Sequence, residues 1–191
     1  MRHHLRPTYY ITRKTRLPMI LTKRLDLIEA TPETVRAAID DHQRLGELLD
    51  ANVPAGWPPE LLDTSALEWT LRWLENPEND RSFGMYWMVL RETVASFRTL
   101  VGVAGFKGAP SEDGTVEVGY GVVAEYQRRG FATETVRAFL KHAFEFGNVR
   151  RVIAETLPGL VPSIGVLEKS GFRFIGDGSE PGVIRYELLR A

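Results

Sequence analysis

The segment from Val116 to Thr135 constrains this chain most. An alternating, β-rich run, Thr115-Val116-Glu117-Val118-Gly119-Tyr120-Gly121-Val122-Val123, ends just before a short polar turn, Gln127-Arg128-Arg129-Gly130. Phe131-Ala132-Thr133-Glu134 then opens a run of helical period. Its apolar stripe is Ala132, Val136, Phe139, Leu140 and Ala143, and Gly147 closes it. A strand that feeds a helix through a basic, glycine-containing turn makes an anion site. The first N–H groups of a helix have no partner within it, and the helix dipole adds partial positive charge there. Arg128 and Arg129 reinforce that field, so the turn is expected to bind a pyrophosphate. The spacing is neither the GxxxxGK[ST] of a Walker loop nor the GxGxxG of a dinucleotide fold. Alone, such a turn is more often structural than a binding site, and its context must decide.

The rest of the chain supplies that context. Leu21 to Ala30 alternates as a first strand. Thr31-Pro32 is a helix start, with threonine as cap and proline in the first turn. Val35 to Leu49 fits one or two short helices, and Asn52 to Glu60 is a proline-rich loop. Ser65-Ala66-Leu67-Glu68 reads as a capping box opening a helix to about Leu74. Met85 to Arg91 and Leu100 to Phe106 read as a hairpin pair. After the long helix come a strand at Arg151 to Thr156, a short helix at Ser163 to Ser170, and strands at Phe172 to Gly176 and Val183 to Leu188. The order predicts an α/β (α+β) single domain. Its six- to seven-stranded, mostly antiparallel sheet is flanked by about four helices, with Val116 to Thr156 as a parallel crossover.

Composition removes several functions. A net charge of -1 argues against a general nucleic-acid binder. With 0 cysteines there is no thiolate nucleophile, disulfide frame or cysteine metal site. This suits a reducing cytoplasm. No apolar run approaches the roughly 20 residues of a membrane span. His3, His4 and His42 show no ligand spacing with acids, His142 is expected on the exposed side of its helix, and no metal is expected. Met1 to Pro18 carries Arg2, Arg6, Arg13, Lys14 and Arg16 with no acid. Residues 1–18 are therefore expected to be a basic extension, flexible or upstream of a start at Met19, with the domain itself at 19–191.

Three segments in order carry a family resemblance. Gln127-Arg128-Arg129-Gly130-Phe131-Ala132 resembles the Q/R-x-x-G-x-G/A motif of the GNAT acetyltransferases. Val116-Glu117-Val118-Gly119-Tyr120 resembles their EIGY strand, and Ser163 to Phe172 their S-x-x-x-L-E-K-x-G-F segment. The element order from about Leu21 to Leu189 is also the family's. The start Thr22-Lys23-Arg24-Leu25-Asp26-Leu27 is similar to the branch that holds the Rim-type ribosomal-protein N-acetyltransferases.

The resemblance implies acetyl transfer from acetyl-coenzyme A to a primary amine, by direct attack in a ternary complex. Backbone N–H groups from Arg128 to Thr133, Arg129, Gly130, Phe131 and Ala132 among them, would cradle the coenzyme's diphosphate, with Gln127 beside them as a further cofactor contact. Val122 and Val123 would pair with the pantetheine arm as a strand does, placing the thioester carbonyl near a backbone N–H. The acceptor would be a protein N-terminus or a small-molecule amine; a homodimer is compatible with the sequence, which does not itself specify the oligomeric state. A non-catalytic acyl-CoA-binding regulatory domain is the alternative reading.

Strand parity sharpens the roles. Glu117, Gly119, Gly121 and Val123 share one face; Val116, Val118, Tyr120 and Val122 share the other. Strand glycines mark close approach by a ligand or another backbone. Glu117 beside them is the candidate base, through water, or else a carboxylate paired with a neighbouring cation. Tyr120 is placed with the substrate. Ser163 is a candidate donor to the leaving thiolate, or an ordinary helix-start serine. Trp57 and Glu60 would wall the acceptor side, unless Trp57 is a packed loop anchor. Trp69, Trp73 and Trp87 read as core or cleft lining. Relatives' tyrosine before the E-K pair is Leu167 here, and their asparagine is Leu160.

Overall fold

The structure, a computed structural model, describes residues 17–91 and 97–191. The basic segment's expected flexibility, along with His3 and His4, thus falls mainly outside the described residues.

One mixed sheet of eight strands runs through the described chain in the order β1-β2-β3-β4-β5-β6-β8-β7. Its strands are β1 (Met19–Leu21), β2 (Leu25–Glu29), β3 (Met85–Leu90), β4 (Thr99–Phe106), β5 (Thr115–Val122), β6 (Arg151–Thr156), β7 (Arg173–Asp177) and β8 (Ile184–Leu189). All neighbours are antiparallel except β5 and β6. Among the described residues the α-helices number five: α1 (Pro32–Asp40), α2 (His42–Leu49), α3 (Thr64–Glu75), α4 (Phe131–Glu145) and α5 (Val161–Lys169). The mostly antiparallel single layer matches the expectation, with one more strand and one more helix than predicted.

The extra strand has a local cause. Leu21 to Ala30 is not continuous: Thr22 folds the chain back, its backbone N–H donating to the Leu25 carbonyl at 3.0 Å and its hydroxyl accepting the Leu25 N–H at 2.9 Å. Short side chains that bond their own backbone make turns inside strand-like sequence. At α1 the expected Thr31 cap stands, and Thr34 reciprocates by accepting the Thr31 N–H at 2.9 Å. At α3 the expected cap was wrong. Asp63, two residues before Ser65, accepts the Ala66 N–H at 2.8 Å, because a carboxylate in extended backbone outcompetes a hydroxyl further on.

Two apolar cores flank the sheet. One, under α4, holds Leu25, Leu27, Val116, Val118, Phe139 and Leu167; the other, under α1 and α3, holds Ile28, Leu45, Trp57, Leu67 and Trp87. The buried face of α4 is rotated from the predicted stripe. Phe131, Thr135, Val136, Phe139, Leu140, His142 and Ala143 are buried, while Ala132 is half-buried. His142, expected outside, is therefore buried between Phe106 and Phe146, its Nε2 lying 3.2 Å from the Ser82 carbonyl. Burial lowers its pKa. Trp87 is core, Trp73 lies against Gly84, and Trp69 is 49% exposed on α3.

Glu29, at the end of β2, is a buried carboxylate. Burial pushes it up to about 7 from its ordinary 4.5; Arg81 pulls the other way and Asp80 adds to the rise. An acid with a raised native pKa stabilises the fold below its unfolded pKa and loses that contribution as pH rises through the native value. Ionised, it costs on the order of 3 kcal/mol. Glu29→Gln is therefore expected to match the wild type near pH 4 in urea unfolding and to exceed it by that order near pH 8. Parallel curves at all pH would exclude this assignment.

Candidate active site

The site begins where β5 and β6 separate. Their parallel register covers only Thr115–Glu117 against Arg151–Ile153. β5 then continues to Val122 beside β4, and β6 to Thr156 beside β8. The two strands open a wedge whose base is Glu117. In an antiparallel ladder the backbone groups of successive residues point alternately to the two sides. Glu117's carbonyl accepts from Lys107, and the Val123 N–H donates to Val101 at 2.9 Å, so odd-numbered residues are spent on β4. Val118, Tyr120 and Val122 face the wedge. Of the two predicted pantetheine contacts, Val122 is thus presented and Val123 is buried, its amide already bonded. Gln127 Nε2 donates to the Val122 carbonyl at 3.0 Å, closing the wedge's mouth.

Beyond that mouth lies the basic turn. Arg128 and Gly130 both take positive φ, 58° and 81°. Gly130 is the N-cap of α4 and offers no side chain to its first N–H groups. Alternating left-handed residues beside an uncapped helix start form a concave set of N–H donors suited to phosphate. Phe131 roots the helix in the core, and Ala132 and Thr133 continue the first turn half-buried. Arg128 and Arg129 are exposed, Arg129 lying over the Tyr126 ring at 5.3 Å. Sequence reasoning missed Arg24 here: its Nη1 donates to the Arg129 carbonyl at 3.0 Å and its Nε to Glu134 at 2.7 Å. Burial pushes Glu134 up, but bonds from Thr22 and Arg24 outweigh it and hold the carboxyl below its ordinary range. The only advance sign was the Thr22-Lys23-Arg24 start.

Between the wedge's base and its mouth the structure joins two predicted residues. Tyr120 Oη lies 3.1 Å from both the carbonyl and the hydroxyl of Ser163, in the first turn of α5. Burial drives the Tyr120 phenol up to about 12, against the lowering bond from Ser163, so it stays protonated near neutrality. Leu167, just before the Glu168-Lys169 pair, is fully buried core.

The opposite face of β5 is open. A Cβ on Gly119 would meet nothing within 4 Å, while one on Gly121 would lie 3.2 Å from Pro59. Glu117 pairs with Lys107 and keeps a side-chain exposure of 21%. Trp57 is 6% exposed, 5.9 Å from Trp87 between ring centroids, with its indole N–H buried and unpartnered. It anchors the loop that carries Pro59 over the strand; Glu60 beside it is exposed.

Residues 31–173 match the acetyltransferase (GNAT) domain family. An uncharacterized N-acetyltransferase, YnaD of Bacillus subtilis (strain 168), is 37% identical over 59 residues, which span 31% of this chain and 35% of that relative. The fold is that of RimL, a ribosomal L7/L12 alpha-N-protein acetyltransferase, with TM-score 0.66 and 16% identity over 96% of this chain and 100% of that one. Microcin C7 self immunity acetyltransferase MccE, solved with acetyl-CoA and AMP, gives TM-score 0.60 and 15% identity over 94% and 98%. The wedge, the uncapped turn and the matched stretch agree: this chain belongs to the GNAT acetyltransferase family.

Proposed function

We propose that the chain is an acetyl-CoA-dependent N-acetyltransferase acting on a primary amine. One observation carries this reading: the β5–β6 wedge runs from a carboxylate at its base to an uncapped, positive-φ turn at its mouth. A thioester on a pantetheine arm with a diphosphate at its far end fits that sequence of groups. The turn from Gln127 to Thr133 holds the diphosphate, and the Tyr120 and Val122 backbone pairs with the arm. RimL is by its name an alpha-N-protein acetyltransferase, and a protein N-terminus is accordingly one acceptor proposed for this chain, a small-molecule amine the other.

An alkylammonium has a pKa of about 10 and attacks only when neutral. Glu117 takes that proton through water on the open Gly119 face. The nitrogen bonds to the acetyl carbon as the carbon–sulfur bond breaks. The Ser163 hydroxyl, 3.1 Å from Tyr120 Oη, hands its proton to the departing sulfur and takes in exchange the proton that the nitrogen sheds on becoming an amide. The exposed Glu60 and the Pro59 loop held by Trp57 line the amine's approach.

Thiol release from acetyl-CoA, followed with a panel of peptides and small amines, tests the reading. Transfer to at least one amine is expected. Calorimetric binding of acetyl-CoA with no transfer to any amine would favour a regulatory domain instead.

A further inference from the structure

We propose that Arg24 is a positioning residue for the coenzyme's diphosphate, which rests on the reading above. Arg24 lies in the β1–β2 turn, over a hundred positions upstream of the anion turn, yet it engages that turn from three sides. Its Nη1 donates to the Arg129 carbonyl at 3.0 Å, inside the turn itself. Its guanidinium lies 4.5 Å from the centre of the Phe131 ring, the first residue of α4. Its Nε and its backbone N–H each donate to Glu134 at 2.7 Å, and Thr22 Oγ1 adds a third bond to that carboxylate at 2.6 Å.

The effect is geometric and electrostatic together. A carbonyl in a phosphate-binding turn repels the anion unless it is turned away and bonded. Arg24 holds the Arg129 carbonyl, leaving the N–H side of the turn to the ligand. Its Nη2 lies 3.4 Å from where a Gly130 Cβ would stand, so the charge sits at the site and not merely near it. Glu134 in the first helical turn would otherwise oppose an anion; three donors and the arginine's charge occupy it. The planar fork is essential, since a lysine cannot hold Glu134, the Arg129 carbonyl and the Phe131 face at once.

Two acyl donors separate positioning from simple stabilisation. S-acetylpantetheine carries the same thioester arm as acetyl-CoA without the diphosphate. For Arg24→Ala, KM for acetyl-CoA is expected to rise about tenfold or more with kcat nearly unchanged, while kcat/KM for S-acetylpantetheine stays at the wild-type value. Arg24→Lys is expected to fall between. Thermal melting checks that each variant is folded. An equal loss on both donors, or none on acetyl-CoA, overturns the proposal. If the wild-type chain binds acetyl-CoA but transfers to no amine, calorimetry reads the same proposal: about tenfold weaker acetyl-CoA binding by Arg24→Ala supports it, and unchanged binding overturns it. A wild type that binds no acetyl-CoA removes both readings.

Discussion

Gly130→Asp is expected to abolish acetyl-CoA binding while the protein stays folded. Gly130 sits at φ 81° as the N-cap of α4, with no side chain bonded to the first N–H groups. A side chain there costs about 1 kcal/mol of left-handed strain, an amount a domain of this size absorbs. The new carboxylate would do more than strain the turn. Acidic N-caps bond the N–H groups of the first helical turn, so it would take the donors the diphosphate needs. It would also pair with Arg24, whose Nη2 lies 3.4 Å from the Cβ position. Ligand donors and counter-charge are removed in one substitution, and a loss of at least 100-fold, or roughly 3 kcal/mol, follows. Gly130→Ala adds the strain without the charge and is expected to lose far less. Calorimetry with acetyl-CoA on both variants, beside their melting curves, decides the matter. Normal binding by Gly130→Asp would place the diphosphate elsewhere.

The sequence made this turn legible because its signal is local. Strand alternation, Gln127-Arg128-Arg129-Gly130 and the following helical run all lie within one stretch, and β5, the turn and α4 form as read. The Glu117–Gly119–Gly121 face was legible for the same reason, since side-chain parity is fixed along a strand. What stayed hidden depends on contacts between distant segments. Arg24 reaches Glu134 only after β2 and α4 have been brought together by the sheet order. Which backbone edge of β5 is spent on β4 follows from register, so Val123's burial could not be read from its neighbours. The Tyr120–Ser163 contact needs α5 docked against the wedge. His142 was misplaced because a stripe drawn through Ala132 and Val136 differs from one drawn through Phe131, Thr135 and Phe139 by only a small rotation. The packed partners Phe106 and Phe146 decide between them.

Glu117→Gln is expected to lower turnover by about 100-fold near neutral pH with acetyl-CoA binding unchanged, the size typical of losing a positioned base. Two features set that expectation. Glu117 stands at the last paired position before β5 and β6 diverge, beside the open space over Gly119. Glutamine keeps its shape but cannot take a proton. The deficit should shrink as pH rises towards the amine's own pKa of about 10, because neutral amine then needs no base. The ion pair with Lys107 offers a competing account, in which the carboxylate only shapes the site. Lys107→Met separates the two. If Glu117 acts as base, this variant retains most of the turnover, since Lys107 is 60% exposed and a solvated partner contributes little. If shaping is all that matters, Lys107→Met reproduces the Glu117→Gln defect at every pH. The pH dependence of kcat for the pair, measured with one reactive amine, therefore assigns the carboxylate's role.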